Sequence, residues 1–167
     1  MNITVFFGSF PYIDLGDIVL REINENDNQA YFSYMNNKIM EKYITSDNIP
    51  KDLNKSKEEL LYWGNLFKNK QSIYWGIAEK KSNRLIGSAG FNMISFPNSR
   101  ADISYDLDPG YWGKGIMLKS IKAIINYSET VLKIVRIQAF VICDNQRYIK
   151  LLSRCLFNKE GSTLPQP

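Results

Sequence analysis

Tyr105-Asp-Leu-Asp-Pro-Gly-Tyr-Trp-Gly-Lys-Gly-Ile-Met117 is the stretch on which the fold of this chain turns. Residues 100–107 alternate strictly. Ala101, Ile103, Tyr105 and Leu107 lie on one face, and Asp102, Ser104 and Asp106 on the other, which is the period of a strand. Pro109-Gly110 ends that strand. Downstream, Met117, Leu118, Ile121, Ile124 and Ile125 recur at helical spacing and predict an amphipathic helix from Gly113 to about Ser128. A strand thus passes through a tight turn into a helix opened by Gly113-Lys-Gly115. The first N–H groups of a helix lack intrahelical partners and carry the positive end of its dipole, which suits a phosphate. Glycine there lets the backbone approach without a Cβ in the way. Taken alone, the Gly-x-Gly pair fits a plain turn equally well. It is not a P-loop, because no Gly-Lys-Ser/Thr follows. It is not the dinucleotide fingerprint, because the glycines come late, after an antiparallel sheet.

Working outward, Ser72–Glu79, with Ile73, Trp75 and Ile77 alternating, and Leu85–Met93 read as strands joined by a polar turn at Lys80–Arg84. Ser56 and Glu59 form a Ser-x-x-Glu capping box ahead of Leu60, Leu61, Trp63, Leu66 and Phe67, predicting a helix to about Asn69. Tyr43–Asn54 reads as an irregular connection. Asn24 with Asp27 starts a shorter helix carrying Ala30, Tyr31, Tyr34 and Met35, and Ile18–Ile23 is the first strand. Residues 1–17 are apolar, aromatic and turn-prone, and are expected to pack on the domain as an extension. Towards the C-terminus, Lys133–Cys143 is rich in β-branched residues and reads as a mostly buried strand. Asn145 caps a last helix with Ile149, Leu152, Cys155 and Leu156, and Phe157–Glu160 starts a further strand. The order β-α-α-β-β-β-α-β-α-(β) predicts a mixed α/β (α+β) fold. About six strands are expected, mostly antiparallel, with helices on both faces and parallel pairing where a crossover helix joins neighbouring strands.

With 167 residues and 44% hydrophobic content, the chain suits one domain with a real core rather than a disordered or fibrous architecture. No apolar run approaches the ~18 residues of a membrane span. Met1–Phe10 lacks the basic start and clean apolar core of a secretion signal, so a cytoplasmic protein without membrane association is the expectation. The sequence contains no histidine, which removes Ser-His and Cys-His nucleophiles and His-ligated metals. Two cysteines, Cys143 and Cys155, are too few for a zinc cluster, so no metal is expected. Cys143, at the end of a predicted strand, reads as a buried small hydrophobe. Net charge is +4, and from Gly113 onward nine basic residues face three acidic ones. Such a basic part suits a polyanionic ligand, and equally suits lysines that solubilise helix faces. Without a recognition helix or an RNP-type aromatic strand, nucleic acid is not the expected partner.

Tyr105–Met117 resembles the pyrophosphate-binding loop of the GNAT superfamily of N-acetyltransferases, in particular the branch of the ribosomal-protein N-terminal alanine acetyltransferases. That branch shows a strand ending near Tyr-x-Leu, then Pro, then Tyr-Trp-Gly-x-Gly and a helix. Ile18–Ile23 with Asp27 is similar to the family's opening strand and helix. Trp75-Gly-Ile-Ala-Glu79 with Leu85-Ile-Gly-Ser-Ala-Gly90 resembles its central hairpin. Arg136–Phe140, Asp144–Leu152 and Phe157–Gly161 resemble the segments that complete its cofactor cleft.

The resemblance implies a three-layer fold whose twisted mixed sheet splays between the Arg100–Leu107 and Lys133–Cys143 strands. Acetyl-CoA would be wedged there, its pantetheine arm bound by the first strand, ending at Leu107, as another strand would be. The pyrophosphate would lie on the N–H groups of Gly113, Lys114, Gly115, Ile116 and Met117, after Trp112. Asn145 stands where the family contacts the cofactor arm, a role compatible with helix capping. The implied activity is transfer of an acetyl group to a primary amine, either a protein N-terminus or a small amine. The alternative is a catalytically weak acyl-CoA-binding or regulatory module. Asp102 falls where the branch often has a glutamate and is the candidate base; its other reading is a solvated residue on an open sheet face. Tyr148 replaces a serine held to protonate the leaving thiolate and is the candidate acid, with partly buried packing as its other reading. Met117 occupies a position that is usually small and is expected to crowd the phosphate. The family normally continues beyond Gly161 with a further strand, where six residues remain here. A homodimer fits the resemblance and the aromatic content.

Overall fold

The structure, a computed structural model, describes residues 6–161. Among these, one sheet runs in the order β1 (Ile13–Asp14), β2 (Ile18–Arg21), β3 (Tyr74–Glu79), β4 (Leu85–Ser95), β5 (Arg100–Leu107) and β6 (Arg136–Gln138). Neighbours are antiparallel except β5 and β6, which are parallel. The helix α3 (Ile116–Thr130, preceded in the chain by α1, Asn28–Met35, and α2, Leu53–Lys68) supplies the crossover that parallel pairing requires. The last helix, α4 (Gln146–Arg154), follows β6. A mixed sheet of six strands agrees with the expected architecture, but its members differ: Ile13–Asp14 of the N-terminal extension supplies an edge strand the sequence reading does not include, and Phe157–Glu160 supplies none.

Strand alternation feeds two cores. On one side, Trp75 and Ile77 of β3 and Ala101 and Ile103 of β5 cluster with Met117, Ile121 and Ile124 of α3. On the other, Tyr74 joins Tyr31 and Tyr34 of α1 and Leu60 and Trp63 of α2. Trp63 lies flat on Tyr74, ring centroids 4.3 Å apart. Three layers result. Burial of a large apolar side chain stabilises by ~1.5–3 kcal/mol, so the fully buried Trp75, Ile77, Phe91 and Ile121 anchor the α3 side. The N-terminal extension is part of this architecture. It contributes β1 to the sheet edge, buries Phe7, and accepts a 2.8 Å hydrogen bond at the Pro11 carbonyl from Trp75 Nε1.

Four local expectations are corrected. Helix α2 starts a turn early, because Asp52 accepts a 2.8 Å bond from the Lys55 N–H and serves as its cap. Ser56 and Glu59 therefore face inward instead of capping: Ser56 is fully buried, and Glu59 accepts from Tyr31 Oη at 2.9 Å. The strand expected over Lys133–Cys143 shrinks to three residues, and Val135, Phe140 and Ile142 are exposed. Enrichment in β-branched residues describes a side chain's fit to a pleated, half-buried surface. Beyond Gln138 no strand among the described residues lies beside the chain to provide that surface, and Cys143 is exposed rather than buried. Phe157–Glu160 is irregular; Glu160 is held by an ion pair with Arg136 at 2.5 Å. The expectations for residues 1–5 and for a further strand after Gly161 lie outside the described residues.

Candidate active site

Strand β5 leaves the sheet through a turn that its own side chains shape. Asp108 Oδ1 accepts from the Gly110 N–H at 2.9 Å and caps the short 3-10 turn Pro109–Tyr111. Trp112 Nε1 donates back to the Leu107 carbonyl, and Tyr111 Oη donates to Glu79 Oε1, both at 2.8 Å. Arg147 of α4 lies 4.3 Å from the Trp112 ring centroid, and Lys114 lies 4.9 Å from that of Tyr111. Gly113 and Gly115 have φ of 77° and 75°. That left-handed conformation costs an L-residue ~1–2 kcal/mol, which explains glycine at both places. A Cβ added at either would meet nothing within 4 Å, so the backbone borders open space. Gly115 is the N-cap of α3, whose first i to i−4 bond is Lys119 N–H to the Gly115 carbonyl. The N–H groups of Ile116, Met117 and Leu118 precede that bond and point out of the helix end. This arrangement fits a diphosphate. Met117 does not crowd it: its side chain is buried in the core under α3.

The splay is equally local. Strand β6 pairs with β5 over three rungs, Arg100 with Arg136, Ala101 with Ile137 and Asp102 with Gln138. Past Asp102 the pairing stops among the described residues, so the edge of β5 from Ile103 to Leu107 borders a gap. Across it, Asn145 Oδ1 accepts from the Tyr148 N–H at 3.1 Å and caps α4, as its sequence context predicts. The Tyr148 ring lies flat on Tyr105, centroids 4.0 Å apart.

A cavity of about 450 Å³ opens beside this gap, on the side covered by α1 and α2; its walls include Tyr31, Glu59, Tyr74, Asp106, Asn145 and Tyr148. Asp106 Oδ1 accepts from Tyr34 Oη at 2.6 Å and from the Ser88 N–H at 3.1 Å, and its Oδ2 accepts from Ser88 Oγ at 2.7 Å. Despite these donors, burial pushes the Asp106 carboxyl up to about 6. Burial also raises Glu59, and it holds the Tyr148 phenol well above its ordinary range, hence protonated. No lysine or arginine lines the cavity among the described residues. At the far side a bulge in β4 between Phe91 and Met93 releases Asn92 from the ladder, and Ser104 Oγ donates to Asn92 Oδ1 at 2.8 Å.

Of the residues singled out from sequence, the structure brings Asn145 and Tyr148 to the cavity and gathers Leu107, Trp112 and residues 113–117 at the adjoining turn. Asp102 stands apart on the last closed rung, with one buried carboxylate oxygen that takes no hydrogen bond among the described residues. Asp106 carries no site signal in the sequence, and Glu59 reads there only as part of a capping box. Alternation placed Asp106 on the polar face of its strand but could not show that α1 and α2 cover that face.

The family model described as Acetyltransferase (GNAT) domain matches residues 17–158. The chain belongs to the GNAT acetyltransferase family. It is an acetyl-CoA-dependent N-acetyltransferase. The uncharacterized N-acetyltransferase p20 of Bacillus licheniformis is 32% identical over 144 residues, spanning 86% of this chain and 80% of the relative. The [ribosomal protein uS5]-alanine N-acetyltransferase of Escherichia coli (strain K12) is 30% identical over 95 residues, 56% of this chain and 49% of that protein. Among solved structures, RimL, a ribosomal L7/L12 alpha-N-protein acetyltransferase in complex with coenzyme A, superposes with a TM-score of 0.81 at 22% identity, covering 90% of this chain and 86% of that one. No helix among the described residues is long and apolar enough to cross a membrane, and no group of three or more side chains there could hold a metal ion.

Proposed function

We propose that this enzyme acetylates the α-amine of a protein or peptide N-terminus. The observation that carries the reading is the meeting of three features at one end of β5. These are the outward N–H groups at the start of α3, the unpaired edge from Ile103 to Leu107, and the acid-lined cavity. In this reading the N–H groups of residues 113–117 hold the diphosphate, and Trp112 locks the turn that presents them. The β5 edge, ending at Leu107, binds the pantetheine arm as a strand would, and Asn145 borders that arm. Acetyl-CoA supplies the activated acyl carbon; the chain's residues bring an amine to it, and holding reactants together accounts for much of such an acceleration. The protonated phenol of Tyr148 faces the same space and is assigned to protonate the departing sulfur. An acceptor N-terminus is favoured because the cavity presents carboxylates and, among the described residues, no competing cation, and because the proteins named above include a ribosomal-protein-alanine N-acetyltransferase and a ribosomal alpha-N-protein acetyltransferase. The test is incubation with acetyl-CoA and a library of peptides with free N-termini, read by mass spectrometry. Acetylation at α-amines is expected. Acetylation confined to lysine side chains or small polyamines would refute the acceptor assignment.

A further inference from the structure

We propose that Asp106 takes the proton from the acceptor's α-ammonium group, held in position by Tyr34 and Ser88. This rests on the reading of the cavity as the acceptor site. Asp106 is the carboxylate of β5 that reaches the cavity, in the same wall region as Tyr148. A carboxylate offers about four lone-pair sites, and Tyr34 Oη, Ser88 N–H and Ser88 Oγ occupy three. The remaining one is free for an incoming N–H. Among the described residues, the ionisable groups around Asp106 and its cavity are Tyr31 and Tyr34 from α1, Tyr43 from the loop before α2, Glu59 from α2, Tyr74 from β3, Tyr105 from β5 and Tyr148 from α4. All are acidic or neutral, so among the described residues nothing there competes with an incoming ammonium ion for the carboxylate. The short bond from Tyr34 and the two from Ser88 fix the carboxylate in one orientation.

The proton balance is direct. The α-ammonium gives one proton to Asp106 Oδ2, which releases it to solvent through the cavity mouth. The neutral nitrogen bonds to the thioester carbon as the carbon–sulfur bond breaks. The departing sulfur takes the phenolic proton of Tyr148, and the second proton lost by nitrogen restores that phenol. Amide and thiol result, with one net proton released. The proton affinities select the amine. An α-ammonium, near 8, releases its proton to one and the same carboxylate more readily than a lysine ammonium, near 10.4, by a factor of about 10².

The experiment compares wild type with Asp106→Asn, Asp106→Glu and Asp102→Asn, following thiol release from acetyl-CoA with alaninamide as acceptor, between pH 5 and 9. Thermal melts and calorimetry with coenzyme A establish that each variant is folded and binds. The expected result is coenzyme A affinity within twofold of wild type for Asp106→Asn. Its kcat/KM should fall ~10²–10⁴-fold and lose the limb that rises through pH 6, and Asp106→Glu should recover part of the rate. A loss that follows Asp102→Asn and spares Asp106→Asn overturns the assignment, as does a wild-type pH profile in Asp106→Asn. Nα-acetyl-lysinamide, whose free amine is the side chain's, should react at least tenfold more slowly than alaninamide; equal rates overturn the α-amine selection. A wild type that binds coenzyme A yet acetylates no amine refutes the acceptor reading instead. Calorimetry of alaninamide on the coenzyme A complex then decides the assignment: weakening by Asp106→Asn supports it, and equal binding overturns it.

Discussion

Gly115 allows the diphosphate reading to be tested with two substitutions that share one backbone cost. With φ at 75° and nothing within 4 Å of an added Cβ, Gly115→Ala meets no neighbour and carries only the left-handed backbone cost, ~1–2 kcal/mol. For a chain of this size that lowers Tm by roughly 2–8 °C. Gly115→Glu carries the same cost and adds a carboxylate in the space where the diphosphate is to lie. One charge about 6 Å from a doubly charged group in water repels it by ~1.4 kcal/mol, or about tenfold in affinity. Calorimetry with coenzyme A should therefore show modest weakening for the alanine variant and at least a further tenfold for the glutamate variant. The gap between the two should narrow from low salt to 0.5 M as screening shortens to a few ångströms. Equal affinities for both variants and wild type, with both folded, would show that the anion does not sit at the start of α3.

Tyr148→Phe keeps the flat contact with Tyr105 and removes the phenolic proton, so turnover should fall at least severalfold while the Kd for coenzyme A stays within twofold. A Kd change matching the loss of turnover would assign Tyr148 to binding alone. Asp106 also leaves a signature in stability. Its carboxyl is raised in the folded state, so the folded chain binds that proton more tightly than the unfolded one. The associated stability is complete below the ordinary carboxylate range near 4 and is lost as pH rises through about 6. Between pH 4 and 7, Asp106→Asn should gain on wild type by on the order of 1–3 kcal/mol in denaturant unfolding. A constant difference across that range would show that Asp106 is not held in a proton-retaining environment.

The parts legible in the sequence are those governed by local rules. The Met117, Ile121, Ile124 stripe placed α3 on the sheet, and the turn residues placed its start. The alternation of Ala101, Ile103, Tyr105 and Leu107 gave β5 and its buried face. Two capping expectations divided on competition: Asn145 had no rival and caps α4, whereas Ser56 lost to Asp52 one turn earlier. Composition overestimates the strand around Ile137 because it measures suitability for a sheet and not the presence of a neighbour. The cavity was least legible. Tyr34 and Asp106 are 72 residues apart, and their hydrogen bond follows from how α1 crosses the sheet, which no short window contains.

The three-rung ladder between β5 and β6 also acts as a ruler. Five residues of β5, Ile103 to Leu107, lie past its last rung, a slot of roughly 16 Å at ~3.3 Å per residue. Each rung added or removed would shorten or lengthen that slot by one such step while the diphosphate end stayed fixed at α3. In the proposed reading, where the pantetheine arm lies along this edge, backbone register sets how far along β5 that arm can pair, in increments of one residue. Lengthening β6 by design would shorten the edge open to that arm without changing any side chain in the cavity.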